Sequence, residues 1–146
     1  MSLIKLTGIK DIKEPILAPV AAYPMVVLSQ ELIEKNDKTG IRLIFGILDQ
    51  DPDGDEYQNI FDHMSLPGSG DDEDKIKFKM ILIKRRLHWL DMDEAVEDEE
   101  FDPQDLVGCR SIIDLPISII DPSEANKMRE GRNIEWPPLP SEEEEE

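Results

Sequence analysis

Apolar and polar positions recur with two different periods along this chain, and the change of period marks its main division. Tyr23 to Ile33 (YPMVVLSQELI) and Ile41 to Leu48 (IRLIFGIL) are rich in β-branched and apolar residues, the composition of strands on a half-buried pleated surface. Asn36-Asp37-Lys38-Thr39-Gly40 between them reads as a turn, and Gly46 inside the second run predicts a bulge or a close approach. A third strand is expected over Glu56 to Asp62, where Tyr57, Asn59 and Phe61 alternate with Gln58, Ile60 and Asp62. Joined by turns, the three make an antiparallel meander. After Pro67-Gly68-Ser69-Gly70 the period lengthens. Ile76, Met80, Ile83, Leu87 and Leu90 fall at helical spacing in a stretch, 75–90, that holds neither Gly nor Pro. Asp71–Asp74 supply a cap and first-turn acids. Phe78, Leu82 and Trp89 form a second stripe, so the helix is expected to be covered on two sides.

Beyond the helix, Asp91–Asp105 reads as a mobile acidic loop. Leu106–Ile120 (LVGCRSIIDLPISII) is β-rich, with Pro116 confining part of it to an edge or bend, and Gly131–Trp136 predicts a short last strand. The fold class is therefore mainly β with one helix: a five-stranded, OB-fold-like barrel with the helix between strands 3 and 4, the arrangement whose groove binds oligonucleotides. Residues 1–19 form an N-terminal arm broken by Gly8, Pro15 and Pro19. Residues 20–136 form the domain, and 137–146 a Pro-rich spacer (Pro137-Pro138-Leu139-Pro140) with a disordered acidic tail.

Composition changes this picture mainly through charge. The chain of 146 residues holds 34 Asp+Glu against 16 Lys+Arg, a net charge of −18. That excludes binding to nucleic acid through bulk positive charge and disfavours a cationic membrane-surface binder. The acids are concentrated: five in Glu142–Glu146, nine in Asp91–Asp105 and four in Asp71–Asp74. Outside these runs the acidic and basic residues balance, leaving a neutral body with anionic appendages. One cysteine, Cys109, forms no internal disulfide, so a reducing compartment is expected. Pro15–Leu28 is uncharged, but it holds three prolines and follows Asp11 and Glu14 rather than basic residues. No secretory signal or membrane span is predicted, and the expected location is cytoplasmic.

The chemistry on offer is sparse. Asp49-Gln50-Asp51-Pro52-Asp53-Gly54 resembles the start of a calcium loop, but the twelfth position, which needs a bidentate Glu, is Ile60; an acidic hairpin loop is the simpler reading. The basic run Lys75–Arg86 offers contacts to phosphates, but the solvated outer face of the helix is the favoured reading, and Cys109 is read as a packing thiol. His63 and His88 have no ligand-like spacing. No catalytic triad, phosphate-cradling glycine loop or metal set can be assembled, so no enzyme activity, metal or cofactor is expected.

The segments YPMVVLSQELIEKNDKTGIRLIFGILDQ, YQNIFDHMSLPG, KIKFKMILIKRRLHWL, DLVGCRSIID and EGRNIEWPPLP with its tail together resemble phage-encoded single-stranded-DNA-binding proteins over residues 20–146. The resemblance implies a cytoplasmic replication or recombination factor, acting in the host cell, that coats single-stranded DNA without sequence specificity. It implies that Phe45, Tyr57 and Phe61 offer faces to bases and that Arg42, Arg110, Lys127, Arg129 and Arg132 track phosphates. Glu142, Glu143, Glu144, Glu145 and Glu146 would compete with DNA for the basic groove and recruit replication or recombination proteins. Two other classes stay open. One is an acidic DNA mimic that inhibits a nuclease or repair enzyme; the other is a structural or interaction protein using the Phe78/Leu82/Trp89 stripe, which would also suit a homodimer.

Overall fold

A computed structural model describes residues 2–35, 38–49, 51–54, 56–120 and 131–140. Two three-stranded antiparallel sheets and one main helix make up the body. The first sheet is a meander of β2 (Met25–Lys35), β3 (Lys38–Ile47) and β4 (Ile60–Ser65). The second has the order β1 (Ala22–Tyr23), β5 (Leu115–Ile120), β6 (Gly131–Ile134). Between β4 and β5 lie α1 (Glu73–Trp89), α2 (Asp93–Asp98) and a single 3-10 turn at Pro103–Leu106. The chain passes from one sheet to the other at Pro24, which has no N–H to donate to a ladder but accepts a bond from Leu48 N–H at 2.9 Å. Beside it, Gly108–Ser111 runs along the free edge of β2: Gly108 N–H donates to Val27 O (2.8 Å), Val27 N–H to Cys109 O (2.9 Å) and Ser111 N–H to Met25 O (2.9 Å). β4 packs beside β6 without a shared ladder. Among the described residues the hydrogen bonds form two sheets and no closed barrel.

Period-2 alternation decides what the first sheet buries. Ile41, Leu43 and Phe45 point inward with Ile60 and Met64 of β4 and Met25 and Val27 of β2, against Leu115, Ile117 and Ile134 of the second sheet. α1 closes one side with Ile83, Leu87 and Leu90. It begins at Glu73, two residues before the expected start, because Asp72 caps it by accepting Lys75 N–H at 2.8 Å. One polar pair lies within this apolar interior. Asp62, on the inward parity of β4, accepts from Arg86 Nε (2.7 Å) and Nη2 (3.1 Å). The same guanidinium donates to the carbonyls of Leu82 (3.0 Å) and His63 (3.2 Å) and lies 5.4 Å from the centroid of the Trp136 ring. Trp136 in turn meets Phe45 edge to face at 5.7 Å.

Several expectations need correction. Asp91–Asp105 is not a mobile loop: Ala95 and Leu106 are buried, and Met92, Val96 and Phe101 pack on the core. The segment folds because those few apolar side chains outweigh the repulsion among its exposed carboxylates. The turn between β2 and β3 is shorter than its composition suggests, since Lys38, Thr39 and Gly40 already pair with Lys35, Glu34 and Ile33. β4 runs from Ile60 to Ser65 instead of from Glu56 to Asp62, and Tyr57 makes only an isolated bridge to Ile16. In Leu106–Ile120 only Leu115–Ile120 is strand. On α1 the first stripe is buried only in its second half, and Met80 stays exposed. Of the second stripe, Leu82 and Trp89 are half-buried while Phe78 is exposed. No described helix is long and apolar enough to cross a membrane.

Replacing Arg86 with Ala leaves the Asp62 carboxylate buried without its counter-charge, a loss of about 3–5 kcal/mol. Urea unfolding followed by circular dichroism should show that loss, with Asp62→Ala/Arg86→Met together recovering part of it. An Arg86→Ala protein as stable as the parent would contradict this account of the pair.

Candidate nucleic-acid interface

The outward parity of the first sheet carries a different set of side chains. Register places Glu31, Arg42 and His63 in one row, Ser29, Ile44 and Phe61 in the next, and Ile33, Gly40 and Ser65 on the other side. Lys35 pairs with Lys38 where the hairpin closes. Phe61 is 58 % exposed, and the Arg42 guanidinium sits 5.8 Å from its ring centroid. Arg42 also donates to Glu31 at 2.6 Å, an exposed ion pair. Two glycines shape the face. A Cβ at Gly40 would collide with the His63 ring, and one at Gly46 would press on Leu28 at 3.0 Å. Leu28 is itself the extra residue of a bulge between Val27 and Ser29. The close approach expected at Gly46 is thus present, with the bulge on the facing strand.

Toward the hairpin end the face opens into a groove of about 410 Å³ lined by Lys35, Lys38, Thr39, His63, Ser65 and Lys79. Lys79 reaches it from α1 and is held by Asp71, whose carboxylate accepts from its Nζ at 2.7 Å and from Gly68 N–H at 2.8 Å. These two bonds, the lysine's first, hold the Asp71 carboxyl below the usual carboxylate range. So a chain of net charge −18 presents on one sheet face an exposed aromatic ring, one arginine, one histidine and three lysines. Glu31 is set beside Arg42, Asp71 is paired with Lys79, and Glu34 stands near the hairpin lysines.

The site residues expected from sequence are divided by this geometry. Arg42 and Phe61 come together on the outer face. Phe45 has the opposite parity, is 0 % exposed and fills the core, so it offers no face to a base. Tyr57 is half-buried away from this face, edge-on to Tyr23 at 5.5 Å, where desolvation chiefly, then Tyr23, raises its pKa. Arg110 is exposed beside Val26, at the far edge of β2. Arg132 is half-buried and donates to the carbonyls of Ala18 (2.7 Å) and Gly131 (3.2 Å), so it ties β6 to the root of the N-terminal arm. Lys127, Arg129 and Glu142–Glu146 lie outside the described residues. His63, Lys35 and Lys38 escaped the sequence reading as site residues, while Lys79 entered it only as part of the basic run Lys75–Arg86. A strand extended to Ser65 would have put Phe61, His63 and Ser65 on one face, and a two-residue turn would have paired Lys35 with Lys38.

The Cys109 thiol donates to Asp105 O at 3.3 Å, and burial first, then Asp91 and Asp105, pushes its pKa up. The described residues contain no cluster of three or more His, Cys, Asp or Glu that could hold a metal ion. Compared with known protein families, characterised proteins and solved structures, the chain matches none.

The lowered Asp71 pKa has a stability consequence with a definite sign. Its contribution is fully present above the ordinary carboxylate pKa and is lost as pH falls through the lowered folded value. The gap in urea midpoint between the parent and Asp71→Asn should therefore be widest at neutral pH and close in acid. A gap that grows in acid would contradict the assignment.

Proposed function

We propose that the protein binds single-stranded DNA without sequence specificity on the outer face of β3 and β4, coating exposed strands in phage replication or recombination within the host cytoplasm. The observation that carries this reading is the exposed Phe61 ring beneath Arg42, with His63 in the next row and Lys35 and Lys38 at the hairpin end of the same face, in a chain that is otherwise strongly acidic. An aromatic ring on a sheet supplies a stacking surface for any base, and neighbouring cations neutralise the phosphates on either side. The fold favours the same reading. β1 and β2 are one strand divided at Pro24, so the order becomes strand, strand, strand, helix, strand, strand, which is that of an OB fold read through its second and third strands. β4 lying beside β6 is where such a barrel would close.

The acidic tail follows from charge alone. Glu142–Glu146 resemble a stretch of polyanion, compete with DNA for the basic strip, and when displaced are free to meet a basic surface on a replication or recombination protein.

A second reading draws on the ordered state of Asp91–Asp105. Its nine acids are presented by α2 and the following turn as a fixed surface, which is what a DNA mimic acting on a nuclease or repair enzyme requires. Direct binding separates the two, since a mimic has no affinity for an oligonucleotide.

Fluorescence anisotropy of a labelled oligothymidine at low salt should show tight binding, with duplex of equal length bound far more weakly. Phe61→Ala should cost about 1–3 kcal/mol of that affinity. No binding, or equal binding of both forms, overturns the proposal. Glu31→Gln releases Arg42 from its ion pair and should raise affinity and steepen the salt dependence. Deleting Ser141–Glu146 should tighten binding at low salt and weaken capture of partner proteins, and unchanged affinity would remove the tail from the mechanism.

A further inference from the structure

His63 sits in a way that phosphate contacts alone do not explain. It lies opposite Arg42 in the ladder, yet Arg42 turns to Glu31 and Phe61, and the His63 ring lies over Gly40 instead. Its Cε1 and Nε2 atoms fill the space that a Cβ at position 40 would take. The ring nitrogens have no hydrogen-bond or ion-pair partner among the described residues. The residue is exposed and borders the hairpin-end groove of about 410 Å³ together with Ile33, Gly40 and Ser65.

Charge does not single this groove out. Lys79 is taken up by Asp71, and Glu34 stands near Lys35 and Lys38. What the groove adds to the outer face is a second ring. Phe61 and His63 are two residues apart on β4 and share its outward parity, which sets their positions about 7 Å apart. That is about twice the ~3.4 Å rise per nucleotide along one strand of a duplex, the separation open to consecutive bases once the backbone is drawn out and unstacked. An imidazole offers a flat π face, and histidine is among the side chains on which unpaired bases stack.

We propose that His63 is a second stacking platform: a single strand that lays one base on Phe61 lays the adjacent base on the His63 ring, in the hairpin-end groove. Gly40 is the residue that makes room for this ring. The inference rests on the sheet-face reading and adds to it a two-base step along β4.

Fluorescence anisotropy with labelled oligothymidine should show His63→Ala weakened about five- to hundredfold, the loss of one stacked base. His63→Phe, which keeps a ring, should bind like the parent, and His63→Lys, which keeps only a charge, should bind like His63→Ala. These changes lie on exposed surface, so circular dichroism should be unchanged. The chain has two histidines, and proton NMR gives a direct readout. A deoxyadenosine oligomer should move the His63 ring protons upfield and leave those of His88, which is paired with Asp93 at 3.1 Å, in place. A parent that loses affinity with Phe61→Ala but is indifferent to His63→Ala overturns this inference and leaves the sheet-face reading standing. If His63→Lys binds like the parent and His63→Phe does not, the residue serves phosphate and the inference falls. A parent with no affinity for the oligomer overturns both.

Discussion

The bidentate contact between Arg86 and Asp62 joins the helix, the first sheet and the segment after β6 at one buried point. Two charges in an apolar interior are costly to desolvate, and the cost is offset only if every donor and acceptor finds a partner. Here the guanidinium meets one carboxylate, two carbonyls and the face of Trp136. No other register of β4 gives Asp62 this partner: a slip of one residue would turn Phe61 and His63 inward and put Asp62 on the surface. The outer strip therefore depends on a pair that lies on the opposite side of the same strand. The ring available for stacking is exposed because the neighbouring carboxylate is not.

That coupling explains what could be read from the sequence. The helix was legible because its apolar positions recur every three to four residues without interruption, and the first two strands because their β-branched runs leave no other period. Phe45 was misassigned although its parity with Ile41 and Leu43 already grouped it with the core. Strand 3 was placed early because Tyr57 and Asn59 continue the alternation backwards from Phe61, yet only one bridge forms there. The order of the acidic segment is the feature least visible in the sequence. Met92, Ala95, Val96, Phe101 and Leu106 are too irregularly spaced to register as a period, and what buries them is tertiary: the end of α1 and the edge of β2. The lysines at the hairpin end were hidden by a turn composition that the ladder overrode at Lys38, Thr39 and Gly40.

Charge is segregated by element rather than averaged over the surface. The sheet face and hairpin end bring lysines, Arg42 and His63 together with the paired acids Glu31 and Asp71, while α2 and the turn after it carry carboxylates and no base. With a Debye length of roughly 8 Å at physiological salt, the two regions act on their surroundings almost independently. The net charge of the whole chain is thus a poor guide to what either face attracts, and an approaching polyanion experiences the nearer field.

Pro24 sets how the two sheets are bound together. A single residue with a ring-locked φ carries the backbone between them, and the hydrogen bonds from Gly108–Ser111 run alongside it. The arrangement resembles a book with a stiff spine: backbone hydrogen bonds hold the hinge edge, while at the far side, where β4 and β6 touch without a ladder, side chains alone hold the covers together. A ligand that bent the first sheet would therefore register at the β4–β6 seam, opposite the proline and next to Trp136, whose indole fluorescence would sense any such parting.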